Sequence, residues 1–358
     1  ILELKKCFRS GKTRAVSWRV AQLQSLLKLL SENESRIFDA LIRDLGKHRV
    51  EAYRDEFGVV KKSAEQALLQ IKKWMAPKKI WLPLLMFPSS GEVIPEPLGT
   101  VLIFSSWNFP ISLTLDPLIG AISAGNTAVI KPSELSPECS SVLAELIPLY
   151  LDPEAVKVVV GGLDVAGELL QYQWDKIFFT GKKWRLASPL LSPRVGRIIM
   201  SAAAKHLTPV TLELGGKCPA ILDSTISGSD FEVAMKRIVG GKWGPCAGQA
   251  CIGIDYLLVE KASASLVVES LKKYIKLFYG DDVRCLKNIC RIINGHHFDR
   301  IRSLLEEPGV AASVVYGGSV DENRLMIEPT ILVDPPLDSQ LMNEEIFGPL
   351  LPIVTVRR

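Results

Sequence analysis

Between residues 100 and 214 the chain alternates short buried-strand runs with stretches of helical length, and this rhythm constrains the fold more than any other feature. The runs lie at 100–105 (TVLIFS), 127–130 (TAVI), 156–160 (VKVVV) and 176–179 (KIFF). Helical candidates separate them at 111–123, 137–149 and 163–171, and another at 194–206 leads into a fifth run at 210–214. Strand and helix alternating at this spacing predict an α/β fold with a Rossmann-type parallel sheet and right-handed crossovers. Ligands of such sheets sit outside the carboxyl ends of the strands. That rule aligns residues 106–110, 131–134, 161–162 and 180–181 along one rim. The glycine fingerprint GxGxxG is absent from it.

Length and composition narrow the class. The 358 residues suggest two domains at roughly 150 residues each. Apolar residues at 47% and charged residues at 23% exclude a disordered chain, a collagen-like repeat and a small disulfide scaffold. No apolar stretch approaches the ~20 residues that span a bilayer, so no membrane anchor is visible. The net charge of +4 is too weak to imply nucleic acid, and Lys182, Lys183, Arg185, Arg357 and Arg358 account for the whole excess. Seven irregularly spaced cysteines point to free thiols in a reduced compartment. Neither the cysteines nor the four histidines carry a metal-ligand spacing, so no metal is expected.

Residues 16–45 read as mostly helix, interrupted near 31–35, with Leu23, Leu26, Leu27 and Leu30 on one apolar stripe. Seven Lys and Arg against one Glu in the first 30 residues raise an organelle transit peptide, but the stripe suits packing on a domain better. A second helical stretch covers 51–75 and ends before Pro77. Residues 79–97 predict an extended hairpin, which Pro83, Pro88, Pro95 and Pro97 confine to an edge or an excursion. An apolar hairpin outside the core suggests an oligomer contact. After residue 214 a second α/β stretch follows: a helix near 229–240, a Gly-rich loop at 246–251, a strand at 255–260 and a helix at 262–277.

Three residues carry candidate chemistry. Cys251 lies in a loop dense in small residues, where a carbonyl compound can approach a thiolate; the alternative is a buried small hydrophobe. Glu213 ends a β run before a Gly-Gly turn, as an exposed functional carboxylate or a surface ion pair. Asn108 follows the first strand, either donating to a developing oxyanion or capping the helix after Pro110.

Six motifs then occur in order: WNFP at 107–110, IKPSE at 130–134, FTG at 179–181, LELGGK at 212–217, GQACI at 248–252 and EEIFGP at 344–349. Together they resemble the aldehyde dehydrogenase superfamily. DLGKHRVEAYRDE at 44–56 and AAAKHLTPV at 202–210 are similar to its class 3 branch, in particular the plant members. The resemblance implies NAD(P)-dependent oxidation of an aldehyde to a carboxylic acid, with Cys251 as nucleophile. It implies an oxyanion hole of the Asn108 amide and the Cys251 N–H, and Glu213 as the base that activates water. Cys246 becomes structural or oxidation-sensitive. Trp107, Lys131, Glu134, Gly162, Thr180, Gly181, Ser192, Glu345 and Phe347 fall to the cofactor, NAD or NADP.

The same resemblance divides the chain into a cofactor domain at 1–213, a catalytic thiol domain at 214–346 and a short return segment at 347–358. It makes the hairpin 79–97 a homodimer contact, provided the C-terminal strand found in relatives is supplied, and the setting cytoplasmic, with plastid or endoplasmic reticulum association open. Two departures stand out: ten extra residues at 182–191 between FTG and Ser192, and an end soon after EEIFGP where relatives continue. Both point to an alternative in which the chain is a catalytically silent isoform pairing with full-length subunits.

Overall fold

Strands β1 (Lys78–Ile80) and β2 (Gly91–Val93) form a two-stranded antiparallel hairpin, with Lys78 opposite Val93 and Ile80 opposite Gly91. The computed structural model describes residues 1–181, 195–280 and 288–357, so the insertion at 182–191 and Ser192 lie outside the described residues. Within that range the hairpin pairs with no other strand. Trp81, Leu84, Leu85 and Phe87 at its tip are 85%, 85%, 94% and 80% exposed.

The chain divides into two compact units, Ile1–Ile37 with Glu56–Glu213, and Phe38–Asp55 with Leu214–Arg358. Residues 38–55, grouped with the first domain on sequence, belong to the second unit. The first unit is built on five parallel strands: β3 (Thr100–Phe104), β4 (Thr127–Lys131), β5 (Val156–Val158), β6 (Lys176–Thr180) and β7 (Val210–Glu213). Their order in the sheet is β5-β4-β3-β6-β7. Every residue of β3 and β4 is buried, which explains why these runs read as continuously apolar rather than alternating. The helices Ser112–Ala124, Pro137–Tyr150, Leu163–Leu169 and Val195–Ala204 connect the strands as the rhythm predicts. Leu102, Phe104, Val129, Trp174, Ile177 and Ile199 share one core, with the Phe104 and Phe179 rings edge to face at 6.3 Å.

The helical stretch 16–45 breaks at Asn33 into Val16–Glu32 and Glu34–Leu45. Its apolar stripe is wider than expected and rotated. Leu23, Leu26, Leu29 and Leu30 are fully buried, whereas Leu27 is only half-buried. The reason is packing: Val16–Glu32 meets three helices of its unit, Gly58–Met75, Ser112–Ala124 and Pro137–Tyr150, and one narrow stripe cannot serve all three. The next helical stretch is Arg49–Ala52, a π-helical turn Tyr53–Phe57 and Gly58–Met75.

The second unit holds another five-stranded sheet in the order β10-β13-β14-β9-β8. Its strands are β8 (Pro219–Leu222), β9 (Tyr256–Glu260), β10 (Val314–Tyr316), β13 (Thr330–Val333) and β14 (Leu350–Val356). Only β10 runs antiparallel; β11 (Val320–Asp321) and β12 (Met326–Ile327) make a separate small ribbon. Strand β14 occupies the middle of the sheet, so Leu350–Val356 is a central strand rather than a short return segment. The Trp243 indole, fully buried at the end of helix Gly228–Trp243, donates to the Pro349 carbonyl at 2.7 Å and fixes the approach to this strand. No helix among the described residues is long and apolar enough to cross a membrane.

Candidate active site

In the first unit the chain enters the sheet at β3, builds outward through β4 and β5, and resumes on the other side of β3 with β6 and β7. The carboxyl ends of β3 and β6 therefore flank a topological switch point, where open parallel sheets bind ligands. The unit's expected site residues follow these strand ends. Trp107 and Asn108 come just after β3 and are 8% and 2% exposed. Lys131 ends β4, and its Nζ lies 2.5 Å from Glu134 Oε2 in a pair that presents both a cation and a carboxylate. Gly162 is the N-cap of Leu163–Leu169. Thr180 ends β6, and the Gly181 N–H donates to the Glu213 carbonyl at 3.1 Å. The Glu213 side chain, last in β7, is exposed.

The Thr180 hydroxyl is buried and has no hydrogen-bond partner among the described residues. Buried polar atoms are rarely left so, and a polar group seated on this rim would satisfy it. The residues present thus fit a dinucleotide: an ion pair able to meet ribose hydroxyls, glycines that permit close approach, and an unspent hydroxyl. The helix after Pro110 receives its cap from elsewhere. Glu56, fully buried, accepts the Ile111 and Ser112 N–H groups at 3.0 and 2.8 Å.

In the second unit the three remaining motifs converge. Helix Gly228–Trp243 gives way to a loop in which Cys246, Ala247 and Gly248 have φ of 50°, 52° and 79°. A side chain at Gly248 would run into the Gly348 carbonyl, so glycine is what lets GQACI lie against EEIFGP. A side chain at Gly215 would likewise meet the Glu345 carboxylate, which brings LELGGK against the same segment. Cys246 is fully buried, whereas Cys251 is partly exposed beside an exposed Ile252. Gln249 braces the loop, donating to the Cys246 and Arg291 carbonyls at 3.0 Å each and accepting the Ile293 N–H at 3.2 Å. Phe347 is buried with φ of 51°, and the Arg300 guanidinium holds the Ile346 carbonyl at 2.8 Å.

Several residues here escaped the sequence reading. Lys217 Nζ pairs with Asp255 Oδ2 at 2.6 Å, and Asp255 Oδ1 accepts the Ile346 N–H at 2.9 Å. Lys217 had a signal, as the last letter of LELGGK, and Asp255 stands four residues after Cys251. Lys242 is fully buried, and burial pushes its amine down to about 8 although the Asp255 and Glu345 carboxylates oppose the shift. Burial, followed by the same two carboxylates, raises the Cys218 thiol. No group of three His, Cys, Asp or Glu side chains among the described residues is arranged to hold a metal ion.

Residues 4–358 match the model of the aldehyde dehydrogenase family. Aldehyde dehydrogenase family 3 member F1 of Arabidopsis thaliana is 56% identical over 355 residues, which are 99% of this chain and 71% of that protein. The chloroplastic family 3 member I1 of the same plant is 47% identical, over 99% of this chain and 62% of its own length. Among solved structures, the substrate-bound AldH of Staphylococcus aureus superposes with a TM-score of 0.92 at 39% identity, covering 100% of this chain and 74% of that one. A Mycobacterium tuberculosis aldehyde dehydrogenase complexed with NAD+ shares the fold at a TM-score of 0.84 and 23% identity, over 100% of this chain and 72% of that one.

Proposed function

The chain belongs to the aldehyde dehydrogenase family and its class 3 branch, NAD(P)-dependent enzymes that oxidise aldehydes to acids, and we propose that Cys251 is the nucleophile through which it does so. One observation carries this reading above the others: Cys251 is the partly exposed thiol of a loop packed against EEIFGP, the segment that LELGGK also meets. A thiolate there attacks the aldehyde carbon and forms a thiohemiacetal. The oxygen that becomes negative is met by the Asn108 amide and the Cys251 N–H, a type of donor worth about 3–4 kcal/mol to the transition state. Bound nicotinamide supplies the hydride acceptor. Once the carbon-bound hydrogen of the thiohemiacetal has left as hydride to that acceptor, a thioester remains on Cys251. Glu213 then takes a proton from water, the water oxygen adds to the thioester carbon, and the acid departs as the thiolate is restored.

Trp107, Lys131, Glu134, Gly162, Thr180 and Gly181 are assigned to the dinucleotide, with Glu345 and Phe347 at its nicotinamide riboside. A carboxylate at Glu134 disfavours a 2′-phosphate and Lys131 tolerates one, which is consistent with use of either NAD or NADP. The exposed apolar tip of hairpin 79–97 is assigned to a homodimer contact, and the free thiols to a reduced, cytoplasmic setting.

The test is direct. Purified chain with a medium-chain aldehyde and NAD or NADP should generate reduced-dinucleotide absorbance, and Cys251→Ala should abolish it. Turnover that survives this substitution would sink the assignment.

A further inference from the structure

The buried carboxylate of Glu51 has no part in the chemistry above, yet it is tied to the loop that carries the nucleophile. It is delivered by the short helix Arg49–Ala52 and is 5% exposed. Its Oε1 accepts the Cys246 N–H at 2.7 Å, across 195 residues of sequence. The Cys290 thiol lies 3.3 and 3.2 Å from its two oxygens and is also hydrogen-bonded with the Cys246 thiol. Cys246 is the first of three consecutive residues with positive φ, two of which are not glycine. Such backbone persists only where its surroundings over-determine it. Here the over-determination is visible: Glu51 holds the amide of the first residue, and the Cys246 carbonyl accepts both the main-chain and side-chain N–H of Gln249, at 2.9 and 3.0 Å. From Gln249 the chain runs directly to Cys251, whose carbonyl accepts from the Cys218 thiol at 3.5 Å.

We propose that Glu51 is the positioning residue for Cys251: by clamping Cys246 in its left-handed conformation, it sets where the reactive thiol emerges. The proposal rests on the reading of Cys251 as nucleophile. Burial pushes the Glu51 carboxyl up, with the fully buried Lys47 opposing it most strongly, as expected of an acid placed for its contacts rather than for solvation. Cys246 and Cys290 accordingly act as buried packing and hydrogen-bonding thiols, not as reactive ones; burial raises Cys290 well above the ordinary thiol range.

Alkylation of the folded chain by iodoacetamide, followed by peptide mapping, tests this without requiring turnover. In the wild-type chain Cys251 should react first, with Cys246, Cys290 and the first unit's buried Cys7 and Cys139 protected. Glu51→Gln keeps the shape but removes the charge. It should slow Cys251 alkylation about tenfold, the scale of one lost charge-assisted hydrogen bond, and open Cys246 and Cys290 while Cys7 and Cys139 stay protected. An unchanged Cys251 rate in the folded variant overturns the proposal. So does a parallel rise at all four buried thiols, which would make Glu51 a stability residue. If Glu51→Gln does not fold, Glu51→Asp decides by the same readout: the charge is retained on a shorter arm, and the Cys251 rate should fall by a smaller factor. Failure of the underlying reading is separable, because it shows as turnover persisting in Cys251→Ala.

Discussion

Lys217 Nζ lies 2.6 Å from Asp255 Oδ2 and reaches two carbonyls of the EEIFGP approach, Leu341 at 3.0 Å and Glu344 at 2.7 Å. Asp255 in turn accepts the Ile346 N–H, so one pair joins the segment after Cys251 to the segment carrying Glu345 and Phe347. Asp255→Asn preserves the shape and removes the charge. The Asp255 side chain is 4% exposed and that of Lys217 23%, so screening discounts the cost of a fully buried pair to about 2 kcal/mol. Urea denaturation should show that loss, and quenching of reduced-dinucleotide fluorescence should show weaker cofactor binding. A variant equal to wild type in both would mean that the pair does not anchor the segment.

Glu213→Gln separates the two halves of the proposed reaction. Acylation of Cys251 does not need the carboxylate, whereas release of the acid does. Stopped-flow absorbance should therefore keep a first-turnover burst of reduced dinucleotide, followed by a steady state slower by roughly a hundredfold. Loss of the burst together with the steady state would place Glu213 before the thioester instead.

Asn108→Ala should lower kcat about a hundredfold or more while leaving dinucleotide affinity near wild type, since the amide is assigned only to the developing oxyanion. The comparison is a full steady-state profile beside a binding titration of the same preparation. Equal losses in both would point to a packing role for this buried residue.

Lys242 yields a pH prediction with a definite sign. Its folded-state amine is lowered from 10.5 to about 8, so between those values the unfolded chain holds a proton that the folded chain has released. Stability rises with pH wherever the unfolded state binds more protons. The cost of keeping a buried ammonium is thus complete below pH 8 and is relieved between about 8 and 10.5. Lys242→Met removes it, so the variant should gain up to about 3 kcal/mol at pH 7, and the gain should shrink toward pH 10. A difference in urea midpoint that is flat across that range would contradict the assignment.

Leu85→Glu addresses the hairpin. Leu85 is 94% exposed, so a carboxylate there costs the isolated chain little. Sedimentation should nevertheless move the protein from dimer to monomer if the apolar tip forms the contact, with unchanged circular dichroism. Identical sedimentation of both chains would remove the hairpin from the interface.

Much of the first unit is legible in the sequence. The strand runs and helices of residues 100–214 agree with the described elements to within a few residues, because a buried parallel strand announces itself as an uninterrupted apolar run and the turns between are short. The hairpin and its excursion from the sheet are legible from residues 79–97 and their four prolines. Leu27 departs from its expected burial, because period alone selects a stripe whereas three packing partners select a wider face. The second unit past residue 288 leaves little trace: its strands are two to seven residues long, and β14 pairs with β9 across almost a hundred residues.

What the sequence by itself determined is the order of elements and, through the six motifs, the family; the thiol and carboxylates proposed for the chemistry are those the family resemblance singles out. The elements follow from periodicity and turn chemistry and the family from its motifs, each encoded within a dozen neighbouring residues. The tertiary structure alone decided that β14 is a central strand, that residues 38–55 belong with the second unit, and that Glu51 and Asp255 brace the loops around Cys251. The reason is distance along the chain. A carboxylate 195 residues from the amide it holds leaves no local pattern, and its role appears only when folding removes both from water.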